Sequence, residues 1–275
     1  MASRTLDVAL AATLHDPTGA LARPLAAALP HLATFYRNVS VATSAPTAPR
    51  IRAILTTSGA FAGTLAADRR GPLYRLTLRR ALASGAERVH YLDLDRVLHW
   101  LARMPRELRA ALRAAARHRV LVLGRTRKAH RSHHLPLYAT EVLANQLIAG
   151  RLGLAHPLDV LVPSFVVDRD AALRLLARSR ARDTTLYGEW AALLFTLTPE
   201  VAYLECRGLD WETPDRHRRA VRRLGLAAWR RRQETPAEWE RRIAMAADFL
   251  AGCERALART PLARPIVRRL PLRAG

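Results

Sequence analysis

Strand-like and helix-like segments alternate through the first 125 residues of this chain, and no other feature constrains its fold as strongly. Short apolar runs such as LDVALAATL, NVSVATS and RVLVLGR alternate with segments in which apolar residues recur at helical spacing. Such alternation is typical of βαβ units, in which helices cover both faces of a mainly parallel sheet. A chain of 275 residues is also long enough to bury a sizeable core. The sequence therefore predicts an α/β fold with a mainly parallel sheet.

The pattern changes after Arg125. A basic loop, RTRKAHRSHHLP, precedes a helix from about Leu137 to Leu152, and PLDVLVPSFVVDRDAALRLLARS predicts a short strand, a turn and a helix. A further helix is predicted in YGEWAALLFTL and a further strand in EVAYLEC. From Asp215 the chain is Arg-rich and helical, and we expect about a dozen final residues to form a loosely ordered tail. We therefore expect one domain over residues 1–214 and a helical extension over residues 215–275 packed on it.

The net charge of +22 indicates a polyanionic partner, such as nucleic acid, an anionic membrane surface or a phosphorylated ligand. Lys128 is the only lysine, so arginine supplies nearly all of the positive charge. Heavy use of arginine and alanine is also typical of a GC-rich coding sequence, which is an alternative explanation of the charge. Patterns of the RNP, KH and zinc-finger types are absent from the sequence, which makes nucleic acid an unlikely partner.

Cysteine content and hydropathy favour a cytoplasmic protein. Cys206 and Cys253 are too few and too far apart for a disulfide framework or a CxxC metal site. The apolar run after Met1 contains Asp7 and lacks a cleavage pattern, which indicates a strand and not a signal peptide. No uncharged apolar stretch is long enough to span a bilayer, so any membrane contact would be peripheral, at the inner face of the membrane.

The basic segment DRHRRAVRRLGLAAWRRRQ allows two interpretations. Its arginines, together with Val221, Leu224 and Trp229, are typical of an amphipathic helix that lies on an anionic membrane. The same apolar stripe forms when a surface helix packs against the core, which is the commoner arrangement. We expect the second arrangement here.

Two aspartates, Asp93 and Asp95, follow the strand-like run RVHYL, and a long helical segment begins directly behind them. Residues two apart in a strand point to the same face, and ligands of open parallel sheets bind beyond the carboxyl ends of the strands. Two carboxylates at such an edge would hold Mg²⁺ or Mn²⁺, and a ligand diphosphate would complete the coordination. In the alternative interpretation, Asp95 caps the following helix and Asp93 makes a loop hydrogen bond.

The segment that leads to these aspartates resembles family 2 glycosyltransferases. In ADRRGPLYRLTLRRALASGAERVHYLDLD, a loop glycine precedes a helix, a second glycine ends the helix, and a strand delivers an Asp-x-Asp. Downstream, the chain is similar to the branch that transfers sugars to polyprenyl phosphates, although it lacks transmembrane segments. The matching positions there are Gly124, Arg125, Asn145 and Asp159, and the whole resemblance extends roughly from Leu6 to Cys206.

The resemblance implies a GT-A-type, Rossmann-like three-layer sandwich that transfers a sugar from a nucleotide-diphosphate donor to an unknown acceptor, lipid-linked or phosphorylated. A divalent cation at Asp93 and Asp95 would bind the donor diphosphate and stabilise the departing nucleoside diphosphate. Direct attack by the acceptor would invert the anomeric carbon. A catalytically degenerate binding protein and a basic nucleic-acid-binding protein are the alternatives.

The resemblance also assigns roles to residues elsewhere in the chain. His15 and Asp16 stand in the first turn, where the family has Asn-Glu, and with Asp68 they would contact the nucleotide. The Asp-Asp-Gly-Ser-type turn that helps to hold the nucleotide in the family is replaced by VATSAPTAP. Arg125 and Lys128 of the basic loop would neutralise phosphates, unless this loop is simply solvated.

A catalytic role is assigned by resemblance to Asp95 and to Glu189, which would act as the base. The segment YGEWAALL keeps the glutamate of the family but has Trp190 where the proton-accepting aspartate would stand. Two alternatives need no base at Glu189: an acceptor phosphate is already ionised, and an acid in the first turn of a helix is favourable for the dipole alone. The three histidines of the basic loop, His130, His133 and His134, match no standard zinc spacing.

Overall fold

The computed structural model describes residues 6–66, 69–260 and 265–271, and a single sheet lies at its centre. The strands described are β1 (Val8–Leu14), β2 (Asn38–Ser44), β3 (Phe61–Leu65), β4 (Arg88–Tyr91), β5 (Val120–Arg125), β6 (Phe165–Asp168), β7 (Glu200–Cys206) and β8 (Ile266–Leu270). Their order in the sheet is β3-β2-β1-β4-β6-β5-β7-β8. Only β6 runs antiparallel to its neighbours among these strands, so the prediction of a mainly parallel sheet is confirmed.

Helices cover both faces of the sheet. They are α1 (Ala22–Leu32), α2 (Pro49–Thr57), α3 (Arg70–Ala83), α4 (Leu94–Arg103), α5 (Pro105–Ala115), α6 (Arg127–Ser132), α7 (Leu135–Arg151), α8 (Arg169–Arg178), α9 (Leu186–Leu194), α10 (Arg218–Leu224), α11 (Leu226–Arg231) and α12 (Pro236–Arg259). Alternate residues of β1 enter opposite cores, because side chains alternate along a strand. Leu10 packs on the side of α1, α2, α4 and α5, whereas Ala9 and Ala11 pack on the side of α3, α8 and α9. The predicted three-layer sandwich with a helical C-terminal extension is confirmed.

The prediction of a loosely ordered C-terminal tail is wrong for residues Ile266–Leu270. These residues form β8, which pairs in parallel with β7 from Glu200 to Leu204. The alternation Ile-Val-Arg-Arg-Leu is short and highly charged, and such a strand suits an exposed sheet edge, where charge discourages further pairing. The extension therefore contributes a strand to the sheet as well as helices.

Three other local predictions are corrected by the structure. The long helix expected behind Asp95 is two helices, because Pro105 begins α5 and cannot continue the hydrogen bonding of α4. The basic loop is in fact α6, whose N-terminus is capped by the side chain of Thr126, which accepts a hydrogen bond from the amide of Ala129. The apolar run LDVLV is not a strand, and the strand of that segment is FVVD, β6.

Two glycines allow α9 and α12 to pack closely. A Cβ atom on Gly188 would lie 1.6 Å from the carbonyl oxygen of Phe249, and one on Gly252 would lie 1.9 Å from the carbonyl oxygen of Thr185. Both obstructing atoms belong to the backbone, so they cannot rotate away. This contact fixes α12 against the domain, and α12 carries Arg241 to the cleft described below.

We expect Gly188→Ala to lower the free energy of unfolding by about 2–3 kcal/mol, because the added methyl group must separate the two helices. Urea unfolding followed by circular dichroism measures this loss. Gly150→Ala in α7 is the matched control, since a Cβ atom there meets no heavy atom within 4 Å. It should be neutral or slightly stabilising. Equal effects of the two substitutions would show that the α9–α12 contact is not close.

Candidate functional site

A polar cleft of about 440 Å³ lies at the carboxyl ends of β1, β2 and β4, and we call it the carboxylate cleft. Its walls come from these strand ends, the starts of α3, α4 and α9, the 3-10 turn Thr213–Arg216, and α12. The lining residues are Thr13, Leu14, His15, Ser44, Arg70, Leu73, Tyr74, Asp93, Asp95, Tyr187, Arg216, Arg241 and Arg242. This is the edge of an open α/β sheet at which ligands bind.

Asp93 is held from one side by three hydroxyl groups. Its Oδ1 accepts hydrogen bonds from Thr13 Oγ1 at 2.6 Å, from the Tyr74 hydroxyl at 3.3 Å and from the Tyr91 hydroxyl at 3.4 Å. Within the described residues, Oδ2 receives no hydrogen bond. Burial, together with the negative charge of Asp95, raises the pKa of Asp93 to about 6. A divalent cation at the free oxygen would offset both effects, so this donor set fits Mg²⁺ or Mn²⁺.

Asp95 also lines the cleft, but it does so from a helix and not from a strand. Because β4 ends at Tyr91, the two aspartates do not extend together from a strand. Asp93 occupies the N-cap position of α4 without a side-chain capping bond, and Asp95 lies in the first turn of that helix. The prediction of a continuing strand is therefore wrong, and so is the alternative in which Asp95 is the cap. Oδ2 of Asp95 instead forms an ion pair with Arg216.

Four arginines line the carboxylate cleft together with the two aspartates. Arg70 begins α3 and donates a hydrogen bond to the Tyr187 hydroxyl at 3.2 Å. Arg241 and Arg242 lie on α12, and Arg216 ends the 3-10 turn. Guanidinium groups bind phosphate oxygens in pairs, and carboxylates bind hard cations. The cleft thus combines the groups that a metal-bound diphosphate needs.

The segment that carries Arg216, residues 207–217, is fastened to α4 by a buried histidine. His99 hydrogen bonds through Nε2 to Asp210 at 2.8 Å and through Nδ1 to Asp215 at 2.7 Å. Burial lowers the pKa of His99, but the hydrogen bonds and charges of the two carboxylates outweigh it and raise the pKa to about 9. The charged imidazolium therefore fixes the segment at two positions, Asp210 and Asp215, of which the second directly precedes Arg216.

We expect His99→Gln to remove a stabilisation that depends on pH. Since folding raises the pKa of His99 from 6.5 to about 9, its contribution is complete below pH 6.5 and is lost as the pH rises through 9. The difference in unfolding free energy between wild type and variant should be about 2–3 kcal/mol at pH 6 and small at pH 10. Urea titrations across this pH range test it. A difference that stayed constant with pH would contradict a charged His99.

Arg125 lies in the core and not in the carboxylate cleft. Its Nε and Nη2 donate hydrogen bonds to Asp159 at 2.7 and 2.8 Å, and its Nη2 also pairs with Glu141. Its own pKa is raised and the pKa values of both acids are lowered, because these pairs outweigh the cost of burial. Contacts of this kind favour a structural role, in contrast to the predicted role at the donor phosphates.

The other residues of the downstream resemblance converge on the same cluster. The side-chain amide of Asn145 donates to Asp159 Oδ1 at 3.0 Å, and its oxygen accepts from the amide of Val160 at 3.0 Å. The amide of Asp159 donates to the Tyr203 hydroxyl at 3.1 Å. Gly124 leaves room for that hydroxyl, which would lie 2.1 Å from a Cβ atom. The sequence pattern therefore marks residues that the fold brings together inside the protein.

One further group of metal-ligand type lies in this cluster. One ligand atom each from His130, Glu141 and Asp159 lies within 4.8 Å of the others. The guanidinium of Arg125 already neutralises both acids, so a cation could enter only by displacing it. His133 and His134 take no part, since His133 Nδ1 lies 3.2 Å from backbone oxygens and His134 caps α7.

Glu189, the predicted base, is buried beneath the segment from Ser179 to Ala181. It accepts hydrogen bonds from the Ser179 hydroxyl at 2.7 Å and from the amide of Arg180 at 2.8 Å, and it pairs with Arg259 at 2.8 Å. It does not line the carboxylate cleft. These contacts favour a role in joining α9, α12 and the chain after α8.

Asp16 and Lys128 also lie away from the carboxylate cleft. Asp16 is buried and accepts hydrogen bonds from the amides of Ala20 at 3.1 Å and Leu21 at 2.8 Å, so it shapes the turn before α1. Lys128 is exposed on α6. The third predicted nucleotide contact, Asp68, lies outside the described residues.

His15 does reach the cleft, at its rim. Its Nδ1 lies 2.6 Å from the Ser44 hydroxyl, and its backbone oxygen accepts a hydrogen bond from Arg216. Burial lowers its pKa, and the positive charges of Arg216 and Arg70 lower it further. Its imidazole is therefore neutral at neutral pH.

Several lining residues are not predicted from the sequence. They are Thr13, Arg70, Tyr74, Tyr187, Arg216, Arg241 and Arg242. The arginines are hidden among the other arginines of the chain, and the tyrosines look like core residues at helical spacing. Only Thr13 had a positional signal, since it stands at the carboxyl end of the first strand.

No protein-family model matches the sequence, and no curated protein matches it. Among solved structures, the chain is similar to glucosyl-3-phosphoglycerate synthase from Mycobacterium tuberculosis in complex with phosphoglyceric acid. The sequences are 15% identical, the similarity covers 95% of this chain and 82% of that chain, and the TM-score is 0.48. Within the described part of the chain, no helix is long and apolar enough to cross a membrane.

Proposed function

We propose that this protein transfers a sugar from a nucleotide-diphosphate donor to an acceptor in a reaction that depends on a divalent metal ion. One observation supports the proposal above all others: Asp93, Asp95 and four arginines line a single cleft at the carboxyl edge of the sheet. Paired carboxylates together with several guanidiniums are the groups that bind a diphosphate and its counter-ion. The Asp-x-Asp resemblance to family 2 glycosyltransferases agrees with this chemistry.

Asp93 and Asp95 would hold Mg²⁺ or Mn²⁺, which would neutralise charge on the departing nucleoside diphosphate. The hydroxyls of Thr13, Tyr74 and Tyr91 fix the orientation of Asp93 and leave its second oxygen available. Arg216 forms an ion pair with Asp95. When a cation binds Asp95 instead, Arg216 would be released and would bind a donor phosphate.

The remaining arginines would receive phosphate oxygens. Arg70 is oriented by Tyr187, whereas Arg241 and Arg242 approach from α12, where both pair with Glu238. His15, which is neutral and anchored by Ser44, would contact the nucleotide at the rim. The donor would thus be bound mainly through its diphosphate.

A phosphorylated acceptor suits this cleft best. Among its described lining residues, no carboxylate is free to act as a base once Asp93 and Asp95 hold a cation, and Glu189 is buried elsewhere. A phosphate oxygen is already ionised at neutral pH and needs no base. It would attack the anomeric carbon as the bond to the donor diphosphate breaks, the bonding electrons would leave with the diphosphate, and the anomeric configuration would invert. A lipid-linked phosphate satisfies the same chemistry.

A turnover assay tests the proposal. The purified protein is incubated with UDP-, GDP- and dTDP-sugars and a set of sugar phosphates and lipid phosphates, and release of nucleoside diphosphate is measured. We expect release that requires both Mn²⁺ and an acceptor and that EDTA abolishes. Absence of release with every donor, or release unaffected by EDTA, would contradict metal-dependent sugar transfer.

A further inference from the structure

Helix α7 exposes large apolar side chains on its outer face. Inward, it packs Leu137, Ala144 and Ile148 in the core. Outward, Leu143 is 60% exposed, and the large apolar residues that this helix exposes are Leu135, Val142, Leu143 and Leu147. We call these four residues the α7 stripe. Large apolar patches that stay exposed mark contact surfaces for a partner or a membrane, and in the described part of the chain these four side chains are 38–60% exposed.

Charged residues are almost absent from α7, although a quarter of the chain is charged. Its only ionisable acid, Glu141, faces inward to Arg125, and its only basic residue, Arg151, is at the last position, paired with Glu254. Gln146 is exposed as well, so the outer surface of α7 is mainly apolar, which is uncommon for a helix in contact with water.

Basic residues flank the N-terminal end of the α7 stripe. The preceding helix α6 exposes Arg127, Lys128 and Arg131. Residues 218–232 contain seven arginines and no acid. Trp229 brings this segment close to the start of α7, because the rings of Trp229 and Trp211 are 5.1 Å apart and that of Trp211 is 5.6 Å from His134. We call residues 218–232 the arginine segment.

The arginine segment has features of both arrangements considered for its sequence, a helix packed on the core and a helix that lies on an anionic membrane. Trp229 is buried and stacks on Trp211, as expected for a helix packed on the protein. Leu226 in the same segment is 52% exposed, and of the surrounding arginines Arg230 pairs with Glu234, while Arg222 and Arg223 are exposed. The segment is therefore anchored inward by one aromatic ring while its charge remains outward.

We propose that the α7 stripe and the arginine segment together bind the surface of an anionic lipid bilayer, with the leucines in the acyl boundary and the arginines at the headgroups. A bilayer of this kind supplies both an apolar interior and negative charge, which is the complement of this surface. A second copy of the chain would offer apolar area but the same positive charge, and nucleic acid would offer negative charge but nothing for the leucines. The proposal does not depend on sugar transfer, although it would place the carboxylate cleft near lipid-linked substrates.

Co-sedimentation with vesicles tests the proposal. Wild-type protein should bind vesicles of phosphatidylcholine with about a quarter phosphatidylglycerol, should bind pure phosphatidylcholine weakly, and should dissociate at high salt, because charge attraction contributes to binding. Val142→Gln with Leu143→Gln should reduce the partition coefficient at least about tenfold by removing insertion. Arg222→Gln with Arg223→Gln should reduce it by a similar factor, because each basic residue near the surface contributes about fivefold.

Two matched controls separate this surface from general effects. Leu173→Gln removes a leucine that is 49% exposed from α8, outside the arginine segment, and Arg106→Gln with Arg113→Gln removes the same charge from α5. Both controls should bind vesicles like wild type. Equal loss in controls and test variants, or no preference for anionic vesicles, would overturn the proposal. So would a dimer in sedimentation equilibrium that the α7 variant converts to a monomer without any vesicle binding, since the stripe would then join two copies.

Discussion

Replacing Arg125 with glutamine should lower the free energy of unfolding by about 3–5 kcal/mol, because it leaves Asp159 and Glu141 buried without their cation. Arg125 is 3% exposed and bonds to both acids through its guanidinium. The loss should shrink as the pH falls below about 4, where the two acids become protonated in the unfolded chain and the wild type loses the benefit of their lowered pKa values. Urea unfolding at pH 7 and at about pH 3 measures both effects.

Arg119→Gln provides the control for this prediction. Arg119 also contacts two acids, Asp168 and Asp170, but its side chain is 48% exposed. An exposed pair of this kind is worth less than about 1 kcal/mol. If Arg125→Gln cost no more than Arg119→Gln, the buried cluster would not stabilise the fold, and the predicted phosphate role for Arg125 would regain support.

Replacing Asp93 and Asp95 together with asparagine should reduce metal-dependent turnover roughly 100- to 1,000-fold, because electrostatic stabilisation of a leaving group has about this size. The fold should persist, since relief of the burial penalty on Asp93 compensates in part for the lost ion pair of Asp95 with Arg216. Initial rates at saturating Mn²⁺ measure the effect. Asp170→Asn, which removes an exposed carboxylate from α8, should leave turnover unchanged. Full activity in the double variant would show that the carboxylate cleft is not the reaction site.

The sequence predicts the sheet well because the information is local. The strands β2 and β7 have the bounds expected from NVSVATS and EVAYLEC, since apolar runs of strand length bounded by turns need no distant partner to be identified. The pair Asp93 and Asp95 is also identified correctly as lying at the carboxyl edge of the sheet. The backbone around the pair is not predicted correctly. Strand β4 ends at Tyr91, two residues before Asp93, and the first turn of α4 carries Asp95 into the cleft.

The rest of the site depends on contacts that no local pattern encodes. Arg216 and Arg241 reach the carboxylate cleft only because His99 fastens one segment and Gly188 allows α12 to approach. Conversely, Arg125 looks like a phosphate ligand in the sequence because it stands in a basic stretch, and the fold turns it inward to two acids more than fifteen residues away. A chain with 45 basic residues gives no indication of which arginines face a ligand.

Isothermal titration of the protein with UDP, GDP and dTDP, with and without Mn²⁺, measures whether the carboxylate cleft binds a nucleotide through a metal ion. We expect one nucleoside diphosphate to bind only when Mn²⁺ is present, and the variant Asp93→Asn with Asp95→Asn to lose this binding. Binding of a nucleotide with equal affinity in the absence of metal and in the variant, or no binding under any condition, would contradict a metal-dependent nucleotide-sugar site in the carboxylate cleft.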